Sequence, residues 1–374
     1  MNKRILFVDN GFGGYGGCLS LLAMMNSLKS SNTICFFSLN NNIKKDLLVD
    51  NDITYYFCDI SNGCHTIGIQ SFFRKLFLPL LCIIRFIQNL YVTIKLVKFL
   101  KNHEFDIVHS NSSTISCGFW AAKICGIKHV WHLREYIYKD QLSWPIYGFT
   151  WLKYLISLSD AVIPISKGVA DFYNVMALPI YNGVVSNTEI LNLNVKRKDN
   201  YILYCGSLTN GKRPDKALLV FSKLSLLYPD LKLVFAGTGM LENYLKTMVR
   251  ELKLENRVLF LGYVKKTKEL YCNARVFLMT SFFEAFGRTT VEAMVNGCIV
   301  VGYNSAGTSE IIKDKINGFL YNNDEELFNI LNHILNSNDN SFDNLRINAY
   351  NWAIHNCSVE MYRNKIENIY NLLN

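Results

Sequence analysis

Proline is scarce in this chain, six in 374 residues, and no stretch is rich in proline or in glycine and serine. That composition leaves no room for a long flexible or polyproline linker. There are eleven cysteines but no C-x-x-C pair, and their number is odd and their spacing irregular. Neither a disulfide framework nor a zinc cluster is spelled by such spacing, and cysteines used as small apolar residues in a reduced compartment fit it better. The start, "MNKRILFVDNG", lacks a hydrophobic signal core and a small-residue cleavage site, so the expectation is a chain that is not secreted. A dense Lys/Arg stripe with interleaved aromatics is also missing, which weighs against nucleic acid.

Apolar residues make up half of the chain, enough for each of two domains to bury a full core. The formal charge is +9, an excess that suits a phosphate-bearing ligand or an anionic surface. Short apolar runs alternate with helical patterns. In the first half they are residues 4–9, 33–39, 53–59, 105–110, 128–133 and 161–166, and in the second 201–207, 232–239, 257–263, 275–281 and 298–303. The runs are nearly continuous rather than alternating, as in strands buried on both faces of a parallel sheet. The fold class expected is α/β: two Rossmann-like, doubly wound parallel-sheet domains facing a central cleft. The polar segment 186–200 carries the boundary, giving domains of 1–190 and 191–355 and a closing helix in 356–374.

Residues 71–105 raise the membrane question. Uncharged runs such as Leu76–Ile84 are too short to span a bilayer, because Arg74, Lys75, Arg85, Lys95, Lys98 and Lys101 interrupt them. A basic helix lying in the membrane interface and a half-buried helix with solvated lysines both remain open for residues 72–101.

Between the first strand and the first helix, Gly11, Gly13 and Gly16 fit G-x-G-x-x-G. A dinucleotide site needs a carboxylate at the end of the second strand to hold the ribose, and "TICFFSLNNN" ends in asparagines instead. The remaining readings are a plain turn, or a backbone loop near a substrate with Gly16 and Gly17 at a helix N-terminus that attracts anions.

The richest stretch is residues 281–312, "SFFEAFGRTTVEAMVNGCIVVGYNSAGTSEII". A strand ends, Glu284 falls in a turn, Gly287 and Arg288 open a helix, and Glu292 lies within it. If both carboxylates were helical, their eight-residue spacing would set them about 80° apart. With Glu284 in the turn, both reach one ligand lying across the helix N-terminus, where N–H groups and the helix dipole face a phosphate. "EAFGRTTVE" resembles the E-x7-E motif of the retaining glycosyltransferases of family 4, which have the GT-B fold. In matching order lie the glycine loop, "IYNGV", "YCGSLTNGKRPDKAL", "FAGTG", "VLFLGYV", "GTSEII" and "NGFL", so the resemblance covers essentially the whole chain.

That resemblance implies a metal-independent enzyme without a cofactor, taking a nucleoside diphosphate sugar, UDP favoured over GDP, as substrate. It implies that Glu284 contacts the donor sugar and helps stabilise the transition state, and that Glu292 holds the ribose. Phe286 and Gly287 would lie against sugar and diphosphate, with Thr289 and Arg288 beside them. Lys212 would neutralise the diphosphate, flanked by Gly206, Arg213 and Gly237. Gly16 and Gly17 match the loop reaching diphosphate and acceptor, and His132 the position beside the donor sugar. The family usually has arginine where this chain has Ser207, so Arg213 or Arg288 would supply the missing charge. The acceptor implied is a glycan, lipid-linked in bacterial surface-polysaccharide synthesis of the O-antigen or capsule type, on the cytoplasmic face of the membrane. Rival readings are a nucleotide-sugar epimerase or hydrolase of the same fold, an NAD-dependent oxidoreductase, and a non-catalytic binding module. His109 is a lesser site candidate, Asn182 reads as a turn former and Glu310 as a cap of the next helix. Asp50-Asn51-Asp52 spells D-x-D by coincidence.

Overall fold

The computed structural model describes residues 2–11, 16–39, 45–58, 66–68, 72–186 and 199–373. Gly13, Gly14 and the sequence-derived boundary at 190/191 lie outside them. The chain divides into two compact units, residues 1–183 with 359–374, and residues 184–358.

Among the described residues the strands in chain order are β1 (Arg4–Asp9), β2 (Thr33–Ser38), β3 (Thr54–Phe57), β4 (Thr66–Gly68), β5 (Ile107–Ser110), β6 (Lys128–Leu133), β7 (Ser143–Pro145), β8 (Ala161–Pro164), β9 (Asp199–Cys205), β10 (Lys232–Ala236), β11 (Val258–Phe260), β12 (Ala274–Met279), β13 (Ile299–Tyr303) and β14 (Phe319–Tyr321). The first unit holds a parallel sheet in the order β3-β2-β1-β5-β6-β8, and the second one in the order β11-β10-β9-β12-β13-β14. Both are the doubly wound order, in which the connections leave in opposite directions from the two central strands. The sequence reading found eleven of these strands. It missed β14 and the small antiparallel pair β4–β7, which are three residues each and too short to show a period.

Alternation explains why the runs are apolar throughout. Ile5 and Phe7 of β1 face one layer, with the helix Gly16–Leu28 and Tyr362, Ile366 and Tyr370 of the final helix Val359–Leu372. Leu6 and Val8 face the other, with Val92, Leu96 and Leu100 of the helix Leu78–Asn102 and with Ala121 and Ala122 of the helix Ser116–Cys125. β1 is therefore covered on both sides.

The helix Leu78–Asn102 has two different halves. One face of its second half is core, through Val92, Leu96 and Leu100, and mid-helix Asn89 ties it down by donating to Ser116 Oγ at 2.8 Å and Tyr147 Oη at 2.6 Å. Its first half exposes Leu80, Ile83, Ile84, Phe86, Ile87 and Leu90. The interrupting charges do not break it: at 25 residues it is long and apolar enough to cross a membrane by length and composition. Its buried face against the sheet is what a spanning helix would have to give up. Glu310 lies inside the helix Ala306–Ile311 rather than capping a later one, and Ser305 is that helix's N-cap residue.

The two halves should respond differently to truncation. Leu96→Ala is expected to destabilise the first unit by about 2–5 kcal/mol in denaturant melts, through the lost burial and the cavity left behind. Leu80→Ala, at 53% exposure, should cost less than ~0.5 kcal/mol. Equal losses would contradict the division of the helix.

Candidate functional site

In open parallel sheets, ligands bind beyond the carboxyl ends of the strands at the point where the connections diverge. In the second unit that point lies between β9 and β12. The segment after β9 runs through Gly206, Ser207, Lys212 and Arg213, and the one after β12 through Thr280 to Gly287. The two are stitched together at Lys212: its carbonyl accepts from Thr280 Oγ1 at 2.8 Å, and its Nζ donates to Glu284 Oε2 at 2.5 Å. The Glu284 carboxylate is 14% exposed and the Lys212 side chain 34%, so the pair is shielded but reachable.

Gly287 has φ +97° and opens the helix Arg288–Val295. A side chain there would be strained, which is why the chain needs glycine where the turn meets the helix. The Glu284 carbonyl accepts from the Gly307 N–H at 2.8 Å, fixing the turn against the next helix. Gly237 is constrained more sharply. Its φ is +147°, and a Cβ there would stand 1.9 Å from the Gly206 carbonyl oxygen. The turns after β9 and β10 thus pack backbone to backbone, with Gly206 N–H donating to the Ala236 carbonyl at 3.0 Å.

Glu292 lies one turn into the helix, where it accepts from Arg288 Nε at 2.8 Å and Tyr271 Oη at 3.1 Å. The nearby Glu292 carboxylate adds to burial in pushing the Tyr271 phenol well above its ordinary range, so Tyr271 stays a hydrogen-bond donor. Beside them is a cavity of about 360 Å³ lined by Lys266, Thr267, Lys268, Tyr271, Glu292 and Asn296 among others. Of the two candidates for the charge missing at Ser207, Arg213 lies against the Phe282 and Tyr303 rings, 5.6 and 5.7 Å from their centroids, and Arg288 is beside Glu292. Ser207 is exposed, Thr289 is half-buried in the first helical turn, and Phe286 is buried at 3% exposure. The side chain of Phe286 packs into the unit.

In the first unit the divergence lies between β1 and β5. Gly16 and Gly17 begin the helix after β1 as expected, and a Cβ on Gly17 would meet nothing within 4 Å. His132, at the end of β6, is fully buried. Its Nδ1 is 3.2 Å from His109 Nε2, and His109 Nδ1 is 2.7 Å from Tyr370 Oη. Burial first, then the Arg134 cation, holds both imidazoles well below the usual histidine range. Arg134 itself joins three neighbours, donating to Asn111 Oδ1 at 2.6 Å, Asn182 Oδ1 at 2.7 Å and Tyr362 Oη at 3.1 Å. Asn111 passes this on to Asp9, whose carboxyl burial pushes up to about 6 against the pull of Asn111 and Arg134. Asn182 therefore anchors an arginine rather than merely shaping a turn. Arg134, Asn111, Tyr271, Tyr362 and Tyr370 were missed from sequence; for Arg134 a signal existed, in its place two residues beyond His132 in "HLRE".

Asp50-Asn51-Asp52 lies in the turn before β3, where Lys29 Nζ donates to the Asn51 carbonyl at 2.7 Å. Among the described residues no three His, Cys, Asp or Glu side chains gather as a metal site would require.

With this geometry in place, two family models match in tandem: glycosyltransferase family 4 over residues 69–186 and glycosyl transferases group 1 over 186–352. The chain belongs to the family 4 glycosyltransferases. One relative is the N-acetylgalactosamine-N,N'-diacetylbacillosaminyl-diphospho-undecaprenol 4-alpha-N-acetylgalactosaminyltransferase of Campylobacter jejuni, 30% identical over 192 residues. That match takes in 46% of this chain and 51% of the relative, so the chain spans about half of that relative's length. Another is the UDP-Gal:alpha-D-GlcNAc-diphosphoundecaprenol alpha-1,3-galactosyltransferase of Escherichia coli, 27% identical over 331 residues, 80% of this chain and 81% of the relative. The solved structure of HepE from Anabaena with UDP and glucose superposes with a TM-score of 0.77 at 21% identity, covering 99% of this chain and all of that one. The fold is therefore GT-B.

A proton readout tests the buried cluster of this glycosyltransferase. Burial disfavours the charged imidazolium, and it lowers His129 as well, to about 3. The ring resonances of His109, His129 and His132 should hold their neutral positions from about pH 8 down to about pH 5.5, across the ordinary histidine midpoint. A midpoint inside that window for any of the three would show that its ring is not sealed in.

Proposed function

We propose that this glycosyltransferase moves a sugar, with retention at the anomeric carbon, from a nucleoside diphosphate sugar to a hydroxyl of a lipid-linked glycan in the synthesis of a bacterial surface polysaccharide such as O-antigen or capsule. The observation that carries the reading is the pairing of Lys212 with Glu284 and of Arg288 with Glu292 at the divergence point of the second sheet. Two carboxylates, each held by a cation within reach of one helix N-terminus, supply what a sugar linked to a diphosphate needs. UDP is favoured over GDP because the E. coli relative's name carries UDP-Gal.

The chemistry follows from charge. As the bond from the anomeric carbon to the diphosphate oxygen breaks, negative charge gathers on the leaving group and positive charge on the sugar. Lys212 Nζ, Arg288 and the N–H groups opening the helix after Gly287 stabilise the first without metal, the two cations turning to it from the carboxylates they hold. Glu284, released from Lys212 when the diphosphate takes that cation, faces the second. The acceptor oxygen bonds to the anomeric carbon on the face the diphosphate leaves, and its proton passes to a phosphate oxygen of the departing group. Glu292 and Tyr271 hold the ribose at the mouth of the adjoining cavity. The family resemblance assigns His132 to the donor sugar, and Gly16 and Gly17 to the diphosphate and acceptor.

Support for a lipid-linked acceptor comes from the undecaprenol carriers in the names of both relatives. The exposed apolar half of the helix Leu78–Asn102, flanked by exposed Lys95, Lys98 and Lys101, suits an anionic bilayer surface on the cytoplasmic face.

Two experiments test this. UDP in large excess should raise the melting temperature by an amount equivalent to a few kcal/mol. Lys212→Ala or Glu292→Ala should abolish that shift, and NAD should give none. A shift with NAD alone would overturn the reading. For the acceptor, the triple change of Lys95, Lys98 and Lys101 to Glu should reduce both flotation with anionic liposomes and transfer to an undecaprenyl diphosphate-linked sugar. Transfer that is indifferent to the triple change would remove the membrane-docking part of the proposal.

A further inference from the structure

Three helices of the first unit meet at one phenol. Tyr147 immediately precedes the helix Gly148–Ser157, and its Oη accepts from Asn89 of the helix Leu78–Asn102 at 2.6 Å. The Tyr147 ring meets Phe86 of that same helix edge-on at 6.1 Å, and Trp120 of the helix Ser116–Cys125 adjoins the phenol as well. From this junction the helix Gly148–Ser157 runs with two unlike faces. Leu152, Leu155 and Ile156 are buried. Trp151, Tyr154 and Leu158 lie four, seven and eleven residues beyond Tyr147, a spacing that puts them on one helical face. All three are exposed, Trp151 by 57%. Trp120 and Ile124, one turn apart on the helix Ser116–Cys125, are exposed too. The apolar surface of the first unit thus extends from the first half of the helix Leu78–Asn102 onto two further helices.

The charge around this surface has one sign. Residues 72–103, 107–134 and 141–159, which contain the three helices, include no Asp or Glu, while Lys95, Lys98, Lys101, Lys123 and Lys153 lie among them. Asp160, just past the last of these segments, is held between Lys123 and Lys128 at 3.0 and 3.7 Å. In a symmetric dimer the same face would meet itself, cations against cations with no carboxylate to pair them. An anionic bilayer complements both properties. Its headgroups attract the lysines, and Trp and Tyr seat their rings at headgroup level with the N–H or O–H turned to water. We propose that Trp151 and Tyr154, with Trp120 beside them, form a second anchor by which the first unit docks on an anionic membrane. The inference rests on the membrane-docking reading of the helix Leu78–Asn102 and goes beyond it. A unit held by one helix can roll about that helix's axis. A second anchor off the axis stops the roll and fixes which side of the first unit faces the lipid.

Flotation of the full-length chain with vesicles of phosphatidylglycerol and phosphatidylcholine tests this. The wild type should float with them and not with phosphatidylcholine alone. The double change Trp151→Ala and Tyr154→Ala should weaken that partition about tenfold or more, through the apolar area no longer buried in the interface. Its melting temperature should match the wild type's, since both side chains are exposed. Leu226→Ala, at an apolar residue of the second unit that is more exposed still, should float like the wild type. As a second readout, lipids brominated in their acyl chains should quench the tryptophan emission of the wild type, and quench that of Trp151→Phe less. Undiminished flotation of the double variant, with equal quenching in Trp151→Phe, would overturn the second anchor and leave docking through the helix Leu78–Asn102 standing. A wild type that ignores anionic vesicles would remove the membrane reading itself, and this anchor with it. A wild-type dimer in sedimentation that the double variant fails to form would give the face to a second copy and overturn the proposal.

Discussion

Parallel strands end together, and where the connections from two neighbouring strands run to opposite faces of the sheet, nothing crosses the gap between them. In the second unit this places the segment after β9 beside the segment after β12, though some seventy residues separate them in the chain. Lys212 and Glu284 meet only because of it. The same divergence in the first unit lies beyond β1 and β5, with the start of the helix Gly16–Leu28 on one side and Asn111 after β5 on the other.

What fills the two places differs in kind. In the second unit the carboxylates are half-shielded and each is already matched with a cation, so a diphosphate entering there exchanges one anion for another rather than meeting bare charge. The desolvation cost of the site is therefore borne at folding. In the first unit the polar groups are sealed in, and almost all are joined through Arg134, Asn111 and the His109–His132 pair. A buried network is costly when partly satisfied and rigid when complete. His132 Nε2 is one of the buried atoms of this unit without a hydrogen-bond partner among the described residues.

The helix Leu78–Asn102 shows how one element serves two environments. Its second half closes one face of the first sheet, and Asn89 fixes it through two hydroxyls. The first half extends its apolar side chains past the end of that core. Burying even a few of those side chains in a bilayer interface is favourable at roughly 25 cal/mol per Å², and neighbouring lysines add attraction to anionic headgroups. The charges that rule out a long uncharged run are compatible with this placement because they lie along a continuous helix, where flanking charges reach the interface.

The sequence by itself determined the α/β class, all but three of the strands among the described residues, the helix beginning at Arg288 and the family, because continuous apolar runs, glycine turns and the E-x7-E spacing are local signals with a fixed period. It also marked Glu284, Glu292, Lys212 and His132 as the residues to examine. Tertiary structure alone decided which cation meets which carboxylate, that Phe286 packs inward, that Arg213 lies against two aromatic rings, and that Asn182 holds Arg134. It alone brought Tyr370 to His109. Such partnerships join residues tens to hundreds of positions apart, and nothing in a periodic pattern records them. They exist only once the strands have ordered themselves side by side and brought distant loops to one edge.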